Sequence, residues 1–439
     1  MNLTVCKFGG SSLANAAQIR KVIRIIKRDP KRRFIVVSAP GKAKPSDRKI
    51  TDLLLLCHAL HEQNLSISDA FGAIESTYRT IVADLRIAFD IDTPLEHIRT
   101  ALTVGASVDF VASRGEWLLA QIMARALLYD FVDAAGTIFF DHEGRYDEAS
   151  TLHALTEMRD AHTHAVIPGF YGTVPNGDIK TFSRGGSDIT GAIVAHGINA
   201  DLYENWTDVP GLSMADPRII PNAHALRVLS YNELAELADG GAQVLHQGTI
   251  FPARDAGITI NVRDTNHPDD PGTLIVADAS TAERPYRITG IASKHFTVIT
   301  VGKRGINPEV GFLWTILGIL KDYNVSVQHF PGGNNSISLA IEHERLPHDT
   351  CTKIVSAIKR ECAPDFVLVN TDTGILTVVG QNMINRPGIA ATLFTALGHA
   401  GINVRLMSQG SSELTIVIGV ASHETERAIH AIYNAFITI

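Results

Sequence analysis

The chain has 439 residues, of which 45% are hydrophobic and 19% are charged, and its formal net charge is -7 at pH 7. At roughly 100–200 residues per domain, this length predicts two to four domains, with enough hydrophobic residues to form their cores. The basic residues are scattered and form no stripe, which argues against nucleic acid as a partner. No uncharged segment approaches the roughly 18–20 apolar residues that cross a bilayer, so we expect no membrane association.

Cysteine and histidine usage indicates the compartment and the metal content. The 4 cysteines have neither paired metal spacing nor the density of a disulfide framework, which is typical of a reducing compartment. Lys7 and the glycines after it interrupt any apolar start, so no signal peptide is recognised and a soluble, cytoplasmic protein is expected. Among the 18 histidines there is no His-Glu-x-x-His motif, and we predict no metal ligands in the chain.

A first glycine loop follows the apolar segment 3–5 and includes Lys7 and Gly9-Gly10-Ser11-Ser12. Apolar residues at 19, 22, 23 and 26 then recur with helical spacing, so the loop lies between a strand and a helix N-terminus. Glycine lets the backbone approach an anion closely, and the free N–H groups of a first helical turn point towards it. The pattern predicts an anion-binding loop, although taken alone it also fits a tight turn beside a solvated lysine.

A second glycine loop, Ser183-Arg184-Gly185-Gly186-Ser187-Asp188, precedes a helical pattern at residues 189, 192 and 193. Arg184 can bind a carboxylate with two parallel hydrogen bonds, and Asp188 is placed as an N-cap or a first-turn acid. Two anion-binding loops in one domain suit a reaction between two anions. For Asp188 in isolation, a helix cap is an equally good interpretation.

A third cluster extends from Trp206 to Gly211 and continues to Asp216-Pro217-Arg218. A strand end, turn residues and a basic side chain together could hold a nucleotide. Turn chemistry alone also explains the Pro-Gly and Asp-Pro pairs. The chain contains no Walker A loop, no Gly-x-Gly-x-x-Gly and no protein-kinase signature set, so these common nucleotide-binding motifs are excluded.

Strands and helices alternate through the first two thirds of the chain, which predicts an α/β domain with a largely parallel sheet. Ligands of such domains bind outside the carboxyl ends of the strands. The last third repeats with a period of 77 residues: Thr300-Val301 matches Thr377-Val378, Gly311 matches Gly388, and Leu320 matches Leu397. Each copy is predicted to be a small α/β unit of about 70 residues, with an amphipathic helix after its glycine loop.

Taken together, the motifs resemble those of aspartate kinases in order and spacing across essentially the whole chain. The tail, with Gln409–Glu413 and residues 428–433, resembles the paired ACT domains of these enzymes. The segments that carry the resemblance in the first part are Lys7–Ser12, Val37-Ser38-Ala39, Arg114-Gly115-Glu116, Ser183–Asp188, Trp206–Gly211 and Asp216-Pro217-Arg218.

The resemblance implies an amino-acid-kinase fold, which is an open, mainly parallel sheet with helices on both faces, followed by two α+β ACT domains of ferredoxin-like topology. The expected boundaries are 1–285 for the catalytic domain, 286–370 for the first ACT domain and 371–439 for the second, which could interleave with 286–302. No dehydrogenase segment follows Ile439, so a monofunctional enzyme is expected.

The implied reaction is transfer of the γ-phosphoryl group of ATP, carrying Mg²⁺, to the side-chain carboxylate of L-aspartate. It forms 4-phospho-L-aspartate, the first step of lysine, threonine and methionine biosynthesis, with feedback by lysine, threonine or both through the ACT domains. A homodimer through these domains is also expected. Two alternatives stay open: another kinase of the same fold, and an amino-acid sensor with weakened catalysis.

The resemblance also implies individual roles. Lys7 and Asp188 would be catalytic, with Asp188 orienting Lys7. Glu116 would bind the substrate ammonium group and Arg184 its α-carboxylate, with Ser38 and Thr51 also in contact with aspartate. The nucleotide would be bound by Lys7, Gly9, Gly10, Ser11, Thr207, Asp208, Arg218 and Gln243, and the effector by Gly311, Phe312, Leu313, Val327 and Gln328.

The sequence departs from the family pattern at two places. Many aspartate kinases have Gly-Ala-Lys-Val-Leu-His-Pro where this chain has residues 241–247 with Gln243, so a lysine expected near the nucleotide is replaced by an uncharged amide. The segment Val327–Phe330 lacks the acid that lysine-sensitive relatives use to bind a ligand amine. The nature of the effector therefore stays open.

Overall fold

The computed structural model describes residues 3–183, 185–242, 247–280, 282, 285–305, 310–381, 383, 386–409 and 414–437. The Cα positions group into two compact units. The first unit comprises Met1–Leu212, Ala225–Tyr231 and Val244–Ala279, and the second comprises Ser213–His224, Asn232–Gln243 and Ser280–Ile439. Two segments that the expected boundary at residue 285 assigns to the catalytic domain, 213–224 and 232–243, therefore group with the second unit.

A mainly parallel sheet forms the centre of the first unit. The strands of this unit are β1 (Thr4–Phe8), β2 (Arg32–Val37), β3 (Asp130–Phe131), β4 (Ala165–Pro168), β5 (Tyr171–Thr173), β6 (Ile179–Thr181), β7 (Leu202–Thr207), β8 (Val228–Ser230), β9 (Thr259–Asp264) and β10 (Thr273–Val276). Over the described residues the main sheet has the order β3-β4-β2-β1-β7-β9-β10-β8, and its first six strands run in the same direction. Strands β5 and β6 form a separate antiparallel pair.

Helices cover both faces of this sheet, as the sequence predicts. They are α1 (Ala16–Arg28), α2 (Ile50–Glu62), α3 (Ser68–Leu85), α4 (Asp92–Thr103), α5 (Val108–Leu127), α6 (Glu148–Ala161), α7 (Gly186–Gly197) and α9 (Gln247–Asp255). Helix α8 (Tyr231–Asp239) precedes α9 in the chain, and its residues after Tyr231 group with the second unit. Cys6 and Phe8 of β1 and Ile35 and Val37 of β2 point to one face, where they pack with α1 to α5 in one apolar core. Helix α7 contacts the same strands separately from that core.

The parallel direction brings several strand ends to one edge. The register pairs Phe8 with Val37 and with Trp206, and it pairs Thr207 with Asp264. The carboxyl ends of β1, β2, β7 and β9 therefore lie side by side, at the edge where ligands of α/β sheets bind.

A five-stranded antiparallel sheet forms the centre of the second unit. Its strands are β11 (Gly290–Gly302), β12 (Ser336–Glu342), β13 (Phe366–Val379), β14 (Leu406–Gln409) and β15 (Thr415–Val420), in the order β12-β11-β13-β15-β14 among the described residues. Its further helices are α10 (Phe312–Asp322), α11 (His348–Cys362), α12 (Ile389–His399) and α13 (Thr425–Ile437).

The two copies of the repeat share the long strands β11 and β13. The first half of β11, from Gly290 to Phe296, pairs with the second half of β13, which also pairs with β15. The second half of β11 pairs with β12 and with the first half of β13. Helices α10 and α12 begin after Gly311 and Gly388, 77 residues apart, and these glycines have φ values of 88° and 94°. The sequence repeat is therefore a repeat of backbone structure.

Candidate active site

The first glycine loop lies at the shared edge of the strand ends. The N–H of Gly9 donates to the carbonyl of Trp206 (3.0 Å), while the carbonyl of Gly10 accepts hydrogen bonds from Leu13 (3.0 Å) and Gly41 (2.8 Å). A Cβ on Gly10 would lie 2.9 Å from the carbonyl oxygen of Ala39 and 3.2 Å from the Gly41 backbone. The segment after β2 thus packs directly on the loop, and only glycine fits at position 10.

Lys7 and Asp188, the two predicted catalytic residues, are brought together. Lys7 is 6% exposed, and its Nζ forms an ion pair with Oδ1 of Asp188, in the first turn of α7. The side-chain amide of Asn205 donates to the same oxygen (2.9 Å), and the hydroxyl of Tyr203 donates to the Asp188 carbonyl (3.1 Å). The charge of the buried Lys7 is thus held near the end of β1 by a half-buried carboxylate, which two neighbouring side chains support. The catalytic roles stay predictions.

The second glycine loop begins α7 without a side-chain cap. Gly185 is the N-cap residue, with φ of 61°, so the interpretation of Asp188 as the cap is wrong. A Cβ on Gly186 would lie 3.0 Å from Cα of Phe170, which explains the second glycine. Arg184 lies outside the described residues, so its predicted contact with a carboxylate stays a prediction.

Glu116 of α5 is a buried acid with spare hydrogen-bonding capacity. It is 5% exposed, and burial raises its pKa to about 7, although the backbone amide of Ala39 and the charge of Arg114 act in the opposite direction. Among the described residues its Oε2 has no hydrogen-bond partner. A buried carboxylate with one unpartnered oxygen is suited to bind a cation such as an ammonium group.

Ser38 and Thr51 lie in the segments that pack against the helix turn of Glu116. Ser38 directly follows β2, and Thr51 is the second residue of α2; both are half-buried. A Cβ on Gly115 would lie 2.8 Å from Cβ of Ala39 and 3.2 Å from Cγ2 of Ile50. The neighbours of Ser38 and Thr51 therefore touch the residue before Glu116, and the three predicted substrate-binding residues lie in adjoining segments.

The predicted nucleotide-binding residues are only partly brought together. Thr207 ends β7, and its hydroxyl donates to the carboxylate of the exposed Asp208 (3.2 Å). The Thr207 carbonyl accepts from the N–H of Thr265 (2.9 Å), whose hydroxyl bonds that of Ser12 in the first glycine loop (2.8 Å). Ser11, half-buried beside Ser12, belongs to the same loop. Thr265 thus connects two predicted nucleotide segments, and sequence analysis missed it.

The structure does not test two further predicted nucleotide residues. Arg218 belongs to the second unit, where its guanidinium pairs with Asp216 at 3.0 Å and lowers the pKa of that carboxyl. Gln243 lies outside the described residues. Their contacts with a nucleotide therefore stay predictions.

Several of the predicted effector residues have structural partners. Phe312 is buried at the start of α10, with the ammonium of Lys303 5.2 Å from its ring centre, and Val327 packs against the same core. The side-chain oxygen of Gln328 accepts from the N–H of Glu342 (3.2 Å). Gly311 and Leu313 flank Phe312, and Leu313 is 43% exposed, so it is the member of this set best placed to contact a ligand.

The comparison with protein families first defines the class. Residues 2–264 match the amino acid kinase family, and residues 376–436 match the ACT domain. Because the first match spans more than half of the chain, the protein is a kinase of the amino acid kinase class.

Its relatives define the branch of that class. The chain is 33% identical over 449 residues to aspartokinase 3 of Bacillus subtilis, covering 99% of this chain and 98% of the relative. It also superimposes on the crystal structure of Clostridium acetobutylicum aspartate kinase, with 47% identity, a TM-score of 0.90 and coverage of 99% and 100%. The chain therefore belongs to the aspartokinase family. Escherichia coli aspartokinase III in complex with aspartate and ADP shares the fold, with 23% identity, a TM-score of 0.77 and 99% coverage of each chain.

Proposed function

We propose that the protein transfers the γ-phosphoryl group of ATP to the side-chain carboxylate of L-aspartate, forming 4-phospho-L-aspartate. The observation that carries the proposal is the Lys7–Asp188 ion pair, which joins the two glycine loops at the strand edge of a chain that belongs to the aspartokinases. The unpartnered Oε2 atom of Glu116 adds a site for the substrate ammonium group.

The reaction requires positioning and charge stabilisation more than proton transfer. The attacking group is a carboxylate, which is already a nucleophile, so no general base is needed. Phosphoryl transfer is accelerated chiefly by in-line placement and by positive charge near the transferring group. Lys7 supplies such a charge, and its ion pair with Asp188 fixes the direction of its side chain before the substrates bind.

The residues proposed to recognise the substrate lie near the same edge of the main sheet, where its strands end. Glu116 receives the ammonium group of aspartate, Arg184 receives its α-carboxylate, and Ser38 and Thr51 add hydroxyl groups on the side of β2 and α2. The backbone N–H groups at Gly10 and Ser11 face the ATP phosphates. The N–H of Gly9 is already donated to the carbonyl of Trp206, and Gly9 contributes by letting the phosphates approach the backbone closely. A site that pairs both charged ends of an amino acid discriminates against molecules that lack either end.

Mg²⁺ would enter bound to the ATP phosphates. Mg²⁺ is usually bound through one or two carboxylates together with substrate phosphates, and Asp208, exposed beside Thr207 at the end of β7, fits that requirement. No group of three or more metal-binding side chains occurs within the part of the chain that the structure describes. When bound, the ion would neutralise part of the phosphate charge.

The decisive experiment traps the acyl phosphate. The protein is incubated with ATP, Mg²⁺ and L-aspartate in the presence of hydroxylamine, with L-glutamate in place of aspartate and a Lys7→Met variant as controls. Aspartate-dependent hydroxamate that is lost in the variant supports the kinase. Binding of aspartate without turnover would instead support the sensor, the alternative that Gln243 raises.

Regulation and assembly belong to the same proposal. An effector, lysine or threonine, binds at the start of α10 in the first ACT copy, and two chains associate through their second units. Exposed apolar side chains on α10 support an interface there, since Trp314 is 80% exposed beside the partly exposed Leu313 and Leu317. Inhibition assays with each amino acid test the effector, and sedimentation of wild type against Trp314→Glu tests the dimer.

No helix of the described chain is long and apolar enough to cross a membrane.

A further inference from the structure

Asp109, in the first turn of α5, binds the strand that leads to the second glycine loop. Its carboxylate accepts a hydrogen bond from the hydroxyl of Thr181 and a longer one from the Thr181 N–H (3.4 Å), and it pairs with Nζ of Lys180 at 3.1 Å. Helix α5 is capped by another residue, Ser107, whose hydroxyl accepts from the N–H of Phe110 (3.2 Å). The Asp109 carboxylate therefore binds residues of β6 and does not cap its own helix.

Asp109 and Glu116 lie on the same face of α5. They are seven residues apart, which is two helical turns and about 10 Å along the axis. The first carboxylate binds the end of β6, and the second is the acid proposed to bind the substrate ammonium group. One rigid helix thus connects the two positions.

The segment after β6 is short and supported on its other side. Phe182 donates its N–H to the carbonyl of Phe170 (2.9 Å), and the N–H of Phe170 donates to the hydroxyl of Thr190 in α7 (2.9 Å). Two residues after Phe182, the sequence reaches Arg184, and α7 begins at Gly186. The residues before the second glycine loop, as far as Phe182, are therefore held by α5 on one side and, through Phe170, by α7 on the other.

We propose that Asp109 is a positioning residue that sets the separation between Glu116 and the second glycine loop. It thereby favours a four-carbon amino dicarboxylate over its five-carbon homologue. The inference rests on the proposed function, because it assumes that Glu116 binds the ammonium group of the substrate while the loop, through Asp188 and its ion pair with Lys7, holds the phosphoryl group that the side-chain carboxylate attacks. Asp109 itself needs no contact with aspartate, since it acts through Thr181 and Lys180.

The test uses Asp109→Asn and Thr181→Val, each with full steady-state kinetics. Losing a hydrogen bond to a charged group is expected to raise KM for aspartate about tenfold, with KM for ATP changed less than about twofold. The ratio of kcat/KM for aspartate over glutamate falls in both variants. Because the two side chains form one contact, KM for aspartate in the double variant should be no higher than in the single variant with the higher KM.

Asp147→Asn is the matched control. Asp147 is also an acid at a helix start, where it accepts from the N–H (3.2 Å) and hydroxyl (2.6 Å) of Ser150, but α6 carries no predicted site residue. This control loses thermal stability without a selective change in KM for aspartate. Unchanged KM for aspartate in both test variants, or a parallel loss of every kinetic constant and of Tm, overturns the proposal.

Amide hydrogen exchange separates this proposal from the proposed function. Peptides covering residues 179–190 exchange faster in Asp109→Asn than in wild type, whereas peptides from α6 do not; unchanged exchange there overturns the positioning role. This readout needs no turnover. Absence of aspartate phosphorylation in the wild-type protein, by contrast, overturns the proposed function. The exchange result then still shows whether Asp109 holds the segment before the second glycine loop in place. If Asp109→Asn does not fold, Thr181→Val gives the same comparison.

Discussion

The ammonium group of Lys7 and the carboxylate of Asp188 form an ion pair that joins the end of β1 to the first turn of α7. The two residues are far apart in sequence: Lys7 precedes the glycines of the first loop, and Asp188 ends the second loop. The side-chain amide of Asn205, in β7, donates to the same carboxylate oxygen. Side chains from β1 and β7 therefore both contact Oδ1 of Asp188, which α7 carries. The arrangement places one positive charge between the two loops without further rearrangement of the backbone.

Lys7→Met is therefore expected to lower kcat by about 10²–10³, because a preorganised charge next to the transferring group stabilises the transition state more than the ground state. KM for aspartate changes little. Initial rates of ADP release measure both constants. Lys27→Met, at an exposed position of α1, is the control and retains wild-type rates. A rise in both Michaelis constants at unchanged kcat would contradict the assigned role.

Asp188→Asn is expected to lower kcat through Lys7, since the lysine loses the charge that orients it. In the Asp188→Asn background, Lys7→Met then costs less than it does in the wild type, because the two residues act as a unit. The complete double-mutant cycle in kcat measures this coupling. Strictly additive effects would mean that Lys7 and Asp188 contribute separately.

Gly10→Ala is expected to destabilise the protein by about 1–3 kcal/mol, the usual range for overpacking. The backbone at Gly10 is right-handed helical, so the cost comes from the contact with Ala39 and Gly41 and not from strain. Gly72→Ala, within α3, is the matched control, because its Cβ would meet nothing within 4 Å. Alanine is the better helix former, so that variant gains stability. Thermal unfolding of both variants checks the difference.

Sequence patterns predicted the parts of the structure that depend on neighbouring residues. The two glycine loops, the alternation of strands and helices and the 77-residue repeat are local or periodic signals, and Gly311 and Gly388 indeed occupy equivalent backbone positions. The short apolar segment Val325–Val327 forms no strand in the described structure, and the residues that follow it make isolated bridges, from His329 to Ala340 and from Gly332 to Ile337. A short apolar segment does not by itself fix strand pairing.

Contacts between distant segments could not be predicted in this way. Ser12 and Thr265 are 253 positions apart, and no motif marks Thr265 except its place after a strand end. Asn205 and Asp109 likewise act through tertiary contacts. The resemblance to the family predicts that Phe312 contacts an effector; its side chain packs in the apolar core, and the effector contact stays a prediction. A motif identifies a segment, whereas packing decides which of its side chains face a ligand.

Gly311→Ala is expected to destabilise the second unit by about 1–2 kcal/mol. Its φ of 88° lies in the left-handed region, which is unfavourable for a residue with a Cβ, and there is no neighbouring atom within 4 Å to add a steric cost. Gly318→Ala, inside α10 and equally free of neighbours, is the control and should be neutral or stabilising. Denaturant unfolding that shows equal stability for the two variants would contradict the backbone argument.

Glu116 is expected to give the aspartate reaction an acidic limb near neutral pH. Burial raises the pKa of its carboxyl to about 7, and only the ionised form pairs with an ammonium group. Below that pH, kcat/KM for aspartate should fall by up to tenfold per pH unit. A pH profile from 5.5 to 8.5, measured through ADP release, tests this limb. Glu116→Gln should have a low kcat/KM at every pH and lack the limb, whereas a flat wild-type profile would contradict the assignment.

The same shift predicts a pH-dependent stability of opposite sign to that of an ordinary salt-bridged acid. Because the folded pKa of Glu116 lies above the unfolded value of about 4.3, its contribution to stability is present below about pH 4 and is lost as the pH rises through about 7. Glu116→Gln resembles the protonated form. It should therefore match the wild type near pH 4 and exceed it near pH 8 by up to about 4 kcal/mol. Saturating aspartate should narrow the gap at pH 8, because its ammonium group pairs with the wild-type carboxylate alone, so an unaltered gap would separate Glu116 from substrate binding.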